Sequence, residues 1–206
     1  MNPTNKKLVL FDFDGVLVDT LNIYHTISSE VNPDLSIEEY KTFFEGNIYD
    51  SLRKDGNKTN RHPNFQERVQ DYIREMVIPI LLKDILINLS QNYILFIVSS
   101  TPSSDLKQIL QRENSLEYFT GILGSDVHTS KVVKNKMILE KYGVSPENAV
   151  FITDTLGDIK EARQCGIESI AVTWGFHDRE RLEKGNPSHI IDNPEDLIQA
   201  IENMLK

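Results

Sequence analysis

One cysteine, one tryptophan and a shortage of basic residues mark this 206-residue chain. With Cys165 as the lone thiol, no disulfide framework can form within it. Its setting in "EARQCGI" is that of a small buried residue near a helix end. Lys and Arg number 22 against 31 Asp and Glu, a formal net charge of −9. That balance lacks the basic footprint of a nucleic-acid binder and the polybasic anchor of a membrane-surface protein. Neither partner is expected. The opening "MNPTNKK" is short and polar, and the apolar run after it is broken by aspartates. Neither a secretory signal nor a membrane span is therefore expected, and a cytoplasmic location is the simplest reading. His25, His62, His128, His177 and His189 show no metal-ligand spacing. An anionic ligand would have to be drawn in by local devices: a lysine, a metal ion or helix N-termini.

A hydrophobic share of 39% is enough for one sizeable core, with room for a smaller appended subdomain. "KLVLFDFD" and "NYILFIVSS" are continuous apolar runs of strand length that end in polar residues. Runs apolar on both faces suit central strands of a parallel sheet covered by helices. Shorter strands are predicted at 120–124, 149–154, 169–174 and 189–192. Helices are predicted at about 79–90, 103–113, 131–142, 157–165 and 194–205. Gly143 and Gly166 sit where helix C-caps should fall, and Pro194 suits a first helical turn. This alternation predicts an α/β fold with a doubly wound, mainly parallel, Rossmann-like sheet. Residues 20–78 break the pattern: they are polar, lack a convincing strand and carry four short helical patterns. Loop signals separate these at "NPDLS" and "KDGNKTNRHPN". The predicted organisation is a core of residues 1–19 and 79–206 with an all-helical insert at 20–78, above the end of the first strand.

Ligands of open α/β sheets bind outside the carboxyl ends of the strands. The polar residues that end the predicted strands are therefore the ones to collect. They are Asp12 and Asp14 after the first strand, Ser99 and Ser100 after the second, and Asp154 after the fourth, with Asp158 four residues on. Lys131 and Lys134 begin the helix before the fourth strand. Carboxylates, hydroxyls and a lysine make an odd core and a natural site for a metal ion and a phosphate. Hard oxygen donors without His or Cys suit Mg²⁺. Asp12 has the chemistry of a carboxylate nucleophile toward phosphorus. A divalent ion touching both partners would ease the approach of one anion to another. Asp14, two residues on, points the same way along a strand of period two, and would serve as general acid and base. Ser99 and nearby backbone N–H groups would hold phosphate oxygens, Lys131 would neutralise charge, and Gly15 would let the backbone turn sharply beside the substrate.

Together, "DFDGVLVDT", "FIVSS", "SKVVK" and "FITDTLGD" resemble the haloacid dehalogenase superfamily, and within it the phosphoglycolate-phosphatase-like branch with a helical cap after the first strand. The likeness spans essentially the whole chain, the segment 20–78 matching the cap. It implies a Mg²⁺-dependent phosphatase that hydrolyses a small phosphomonoester through an aspartyl-phosphate. By the same likeness, Asp12 is the nucleophile and Asp14 the general acid/base. Asp12, the backbone carbonyl of Asp14 and Asp154 would bind Mg²⁺, supported by Asp158. Ser99 and Ser100, Gly15 and Lys131 would surround the phosphate. Two departures stand out. A proline-rich stretch often follows the family lysine, whereas this chain reads "KVVKNK", which makes Lys134 a competitor. The 23-residue step from Lys131 to Asp154 favours Lys131. Thr153 stands where many members have glycine, either crowding the metal or assisting its shell.

The expected partner is a small phosphorylated metabolite. Phosphoglycolate is the family default, with nucleotide monophosphates, sugar phosphates and pyrophosphate open beside it. A phosphosugar mutase and a non-catalytic binding protein on the same scaffold are the alternatives. True dehalogenation is disfavoured, because it needs no equivalent of Asp14. The expected state is a monomer or homodimer. Tyr24 and His25 in the helical segment, and Trp174 and His177 after the fifth strand, read more simply as packed residues than as substrate contacts.

Overall fold

The computed structural model describes residues 6–54 and 62–206. The predicted loop signal at 54–64 lies largely outside them, as do the first five residues of "MNPTNKK". Six strands form one sheet: β1 (Leu8–Phe11), β2 (Ile94–Val98), β3 (Phe119–Leu123), β4 (Ala149–Thr153), β5 (Glu168–Val172) and β6 (His189–Ile191). Every pairing is parallel, in the order β3-β2-β1-β4-β5-β6. The chain thus winds outward in both directions from β1 and β4, which places a topological switch point between those two strands.

Alternation along the strands explains the apolar runs. Val9, Phe11, Val150 and Ile152 face one cluster, with side chains from α5 (Ile80–Ser90), α6 (Ser103–Arg112) and α10 (Leu197–Met204). Leu8, Leu10, Ala149 and Phe151 face the other, with α7 (Lys131–Tyr142) and α8 (Leu156–Gln164). Both faces of β1 and β4 are dry, so polar residues appear there only where the strand ends. Cys165 lies in the second cluster, buried. Gly143 closes α7 in the left-handed conformation, and Pro194 opens a short 3₁₀ turn leading into α10.

Between β1 and α5 run α1 (Leu21–Ser29), α2 (Ile37–Thr42), α3 (Ile48–Lys54) and α4 (Phe65–Tyr72). Ser36 and Glu39 form a reciprocal capping box that starts α2. This helical segment touches the core at the strand ends. Tyr49 donates its hydroxyl to the Ser100 carbonyl at 2.9 Å, the Gly157 N–H donates to the Phe44 carbonyl at 2.9 Å, and Phe44 meets Phe176 edge-on with centroids 4.9 Å apart. His177 pins a third point. Its Nδ1 accepts from the Leu156 N–H at 2.9 Å, so Nε2 carries the proton and donates to the Lys41 carbonyl at 2.9 Å. One further helix, α9 (Arg179–Glu183), was not expected from the sequence; its Asp178 cap accepts from the Arg181 N–H. Among the described residues, no helix is long and apolar enough to cross a membrane.

Candidate active site

A cavity of ≈ 110 Å³ lies between the strand ends and the helical segment, and Asp12, Asp14, Lys131 and Asp158 line it together. Asp12 follows β1 directly, where its N–H still extends the sheet by donating to the Ile152 carbonyl at 2.9 Å. Its Oδ1 accepts from the Phe13 N–H at 2.7 Å, and its Oδ2 meets the Lys131 ammonium at 2.8 Å. The same ammonium lies 2.6 Å from Asp158 Oδ2. Lys131, at the start of α7, thus bridges two carboxylates while only 4% exposed.

Burial raises the Asp12 carboxyl well above the usual range; Lys131 opposes this, and the nearby Asp158 and Asp154 charges add to it. Asp158 goes the other way: burial is outweighed by Lys131 and by hydrogen bonds, among them the Thr153 hydroxyl at 2.9 Å. For Lys131 itself, burial works against the charge, but the two acids more than offset it and keep the amine protonated. Thr153 does not line the cavity, and its hydroxyl steadies Asp158.

Asp14 reaches the cavity by a different route from the one expected. β1 ends at Phe11, and the chain turns at once, with the Leu17 N–H donating to the Phe13 carbonyl at 2.9 Å. The period-two argument does not extend to Asp14; the turn delivers it instead. Four hydroxyls then hold its carboxylate: Thr20 at 3.0 Å and Tyr24 at 2.8 Å on Oδ1, Ser99 at 3.3 Å and Thr101 at 2.7 Å on Oδ2.

Ser99 is fully buried, and its Oγ also accepts from the Thr101 N–H at 2.9 Å. Of the residues after β2, Ser100 and Thr101 line the cavity and Ser99 stands behind them. Lys134 points elsewhere, to the carbonyls of Ser99 at 2.6 Å and Gly124 at 3.4 Å, and burial lowers its amine to about 8. Glu161 accepts from the Lys131 N–H, the Ser130 hydroxyl and the Asn47 amide, each at 3.1 Å, tying the start of α7 to the helical segment. Sequence reasoning passed over Thr101 and Glu161, and read Tyr24 as a packing residue. Trp174 packs as expected, donating to the Val16 carbonyl at 3.1 Å.

Asp154 directly follows β4 and has no exposed surface. Its Oδ2 accepts from the Phe176 N–H at 2.7 Å, while Oδ1 has no partner among the described residues. Burial raises the carboxyl to about 7. A buried carboxylate oxygen left without a donor is costly, and a cation would supply what is missing. Among the described residues no three His, Cys, Asp or Glu side chains already form a metal-ligand cluster.

Two glycines make room for Asp154. Gly15 has φ +74°, and a Cβ there would fall 1.9 Å from Asp154 Oδ2 and 2.9 Å from the Phe176 ring; one on Gly175 would fall 2.3 Å from the same oxygen. Gly15→Ala is therefore expected to displace Asp154. We expect stability to fall by about 1–3 kcal/mol from the strained φ alone and turnover to fall by roughly 100-fold. Thermal unfolding and phosphate-release rates of the two proteins check this; an alanine variant with unchanged rates would contradict the close approach.

The comparisons with known proteins give the family and the fold. The model of the haloacid dehalogenase-like hydrolase family matches residues 9–172. The phosphoglycolate phosphatase of Synechococcus elongatus is 27% identical over 210 residues, covering 97% of this chain and 99% of its own. The pyrophosphatase PpaX of Oceanobacillus iheyensis is 26% identical, covering 95% and 96%. Among solved structures, a haloacid dehalogenase-like hydrolase from Streptococcus pneumoniae superposes with a TM-score of 0.74 at 26% identity, covering 95% of this chain and 98% of that one.

Proposed function

This chain belongs to the haloacid dehalogenase-like hydrolases, and from that membership and the geometry of Asp12 we propose that it is a Mg²⁺-dependent phosphatase of small phosphomonoesters. The observation that carries the reading is the Asp12–Lys131–Asp158 bridge, which opens on the same cavity as Asp14. A nucleophile, its counter-charge and an acid/base share one enclosed space.

In the proposed reaction, an Asp12 carboxylate oxygen attacks phosphorus and the bond from phosphorus to the leaving oxygen breaks. Asp14 gives that oxygen its proton. A water then loses a proton to Asp14 and attacks phosphorus, the bond to Asp12 breaks, and orthophosphate departs with both carboxyl groups restored. Lys131 keeps positive charge beside Asp12 throughout, and Asp158 fixes the lysine's position. The hydroxyls of Thr20, Tyr24, Ser99 and Thr101 orient Asp14, while Ser100 and the backbone beside it meet phosphate oxygens. Asp12, the Asp14 carbonyl and Asp154 would hold Mg²⁺. The ion, when bound, supplies charge neutralisation between carboxylate and phosphate. The helical segment excludes bulk water.

The purified protein is expected to release phosphate from 4-nitrophenyl phosphate with Mg²⁺ and to stop when EDTA is added. Binding is to be read separately: Mg²⁺ at 100 times its Kd adds about 2.7 kcal/mol to stability, raising Tm in the wild type and not in Asp154→Ala. No phosphate release, and no Mg²⁺-dependent transfer to phosphosugars, would leave a binding protein as the better reading.

A further inference from the structure

Lys134 is a buried cation that the proposed reaction leaves unused. Its side chain has no exposed surface, and the nearby carboxylates Asp12 and Asp158 pair with Lys131 instead. The Lys134 amine donates to two backbone carbonyls, Ser99 at 2.6 Å and Gly124 at 3.4 Å. Ser99 and Gly124 are the first residues beyond the paired ends of β2 and β3. The amine therefore fastens the start of the loop whose next residues, Ser100 and Thr101, line the cavity. Burying an ammonium against neutral oxygens alone is costly. Methionine would fill the same volume without that cost, so the charge calls for an account of its own.

The shorter of the two bonds supplies one. The Ser99 carbonyl belongs to the same peptide unit as the Ser100 N–H, and that N–H has no acceptor among the described residues. The N–H groups on either side are engaged: Ser99 donates to the Leu123 carbonyl at 3.1 Å, and Thr101 to Ser99 Oγ at 2.9 Å. The Ser100 carbonyl is held as well, by the Tyr49 hydroxyl at 2.9 Å.

We propose that Lys134 is a positioning residue which polarises the Ser99–Ser100 peptide and makes the Ser100 N–H a strong donor to phosphoryl oxygens. This rests on the phosphatase reading above and adds to it a residue that never touches substrate. Resonance couples the two ends of a peptide unit. An ammonium on the carbonyl draws electron density from the nitrogen, and the N–H becomes the more positive for it. Free phosphate, bound ester and transition state all receive the same contact. Its effect therefore belongs to affinity more than to kcat.

The test uses the full chain with Mg²⁺, inorganic phosphate as the probe and 4-nitrophenyl phosphate as the substrate. Besides lowering stability, Lys134→Met is expected to raise both the Ki of phosphate and KM by about three- to tenfold, with a smaller change in kcat. Lys134→Gln keeps a neutral donor for the Ser99 carbonyl and should recover part of that loss. In nuclear magnetic resonance spectra, phosphate should move the Ser100 amide proton downfield in the wild type, and by less in Lys134→Gln. A folded Lys134→Met protein with the wild-type Ki would reduce Lys134 to a strut between strand ends and overturn the proposal. If neither variant folds, the wild-type spectrum decides. Phosphate must then shift the Ser100 amide and the Lys134 ammonium nitrogen together, and an unmoved Ser100 amide overturns the proposal. If the protein neither binds phosphate nor hydrolyses 4-nitrophenyl phosphate, the phosphatase reading fails first and takes this one with it.

Discussion

Asp12→Asn is expected to lower phosphate release by about 10⁴-fold or more, because an amide has no anionic oxygen to attack phosphorus. The same change should not harm the fold. The Asp12 carboxyl is raised by burial; Lys131 opposes this without cancelling it, and the neighbouring Asp158 and Asp154 charges add to the rise. A charge held at that position costs folding free energy, and the neutral amide removes the cost while filling the same space. The hydrogen bond from the Phe13 N–H survives on the amide oxygen, and Lys131 keeps Asp158. The expected result is therefore a dead enzyme whose Tm equals or exceeds that of the wild type. Rates and melting curves on the same preparation separate the two effects. Retention of more than about 1% of the wild-type rate would remove Asp12 from the nucleophile's role.

Lys131→Met is expected to cost both activity and stability. Methionine fills the volume of the lysine stem but leaves Asp12 and Asp158, both buried, without the ammonium they share at 2.8 and 2.6 Å. Breaking a buried pair from one side costs about 3–5 kcal/mol. For a chain of this size that corresponds to a fall in Tm of roughly 6–20 °C. Protonation of the abandoned carboxylates relieves their repulsion, so the gap in Tm between variant and wild type should narrow as the pH falls from 8 to 5. Turnover by the folded fraction should drop by about 10²–10³-fold, the usual loss when one preorganised charge is removed. Lys134→Met is the informative comparison. Its amine binds the Ser99 and Gly124 carbonyls and does not line the cavity, so its effect should fall on stability, with less than about tenfold on kcat. The reverse ranking of the two variants would transfer the catalytic role to Lys134.

The two lysines mark a boundary of what the chain's order alone conveys. They stand one turn apart on a short polar helix start, and spacing to Asp154 was the sole guide between them. Only the packing of α7 against α8 and beside the end of β1 gives Lys131 its two carboxylates. The strand-ending acids were a different matter. A sheet buried on both faces demands unbroken apolar runs, so an aspartate at the end of such a run is conspicuous in the sequence itself. Asp12, Asp154 and the parallel α/β arrangement followed from that. So did the helical character of the segment after β1, where polar residues and short helical patterns replaced strand patterning. Helix α9, five residues long, is too short to show a period, and Asp178 was its one available signal.

The surroundings of those acids belong to the tertiary structure. Thr101 meets Asp14 from 87 positions away, Tyr24 meets Thr101 across 77, and Glu161 gathers Asn47, Ser130 and Lys131 onto one oxygen. A threonine after a strand or a tyrosine in an amphipathic helix carries no local mark of such a role. Near neighbours along the chain decide where a strand stops and whether its last residue is charged. Which hydroxyl, ring or amine faces that charge is decided by how helices far apart in sequence settle on the two sides of the sheet and over its edge.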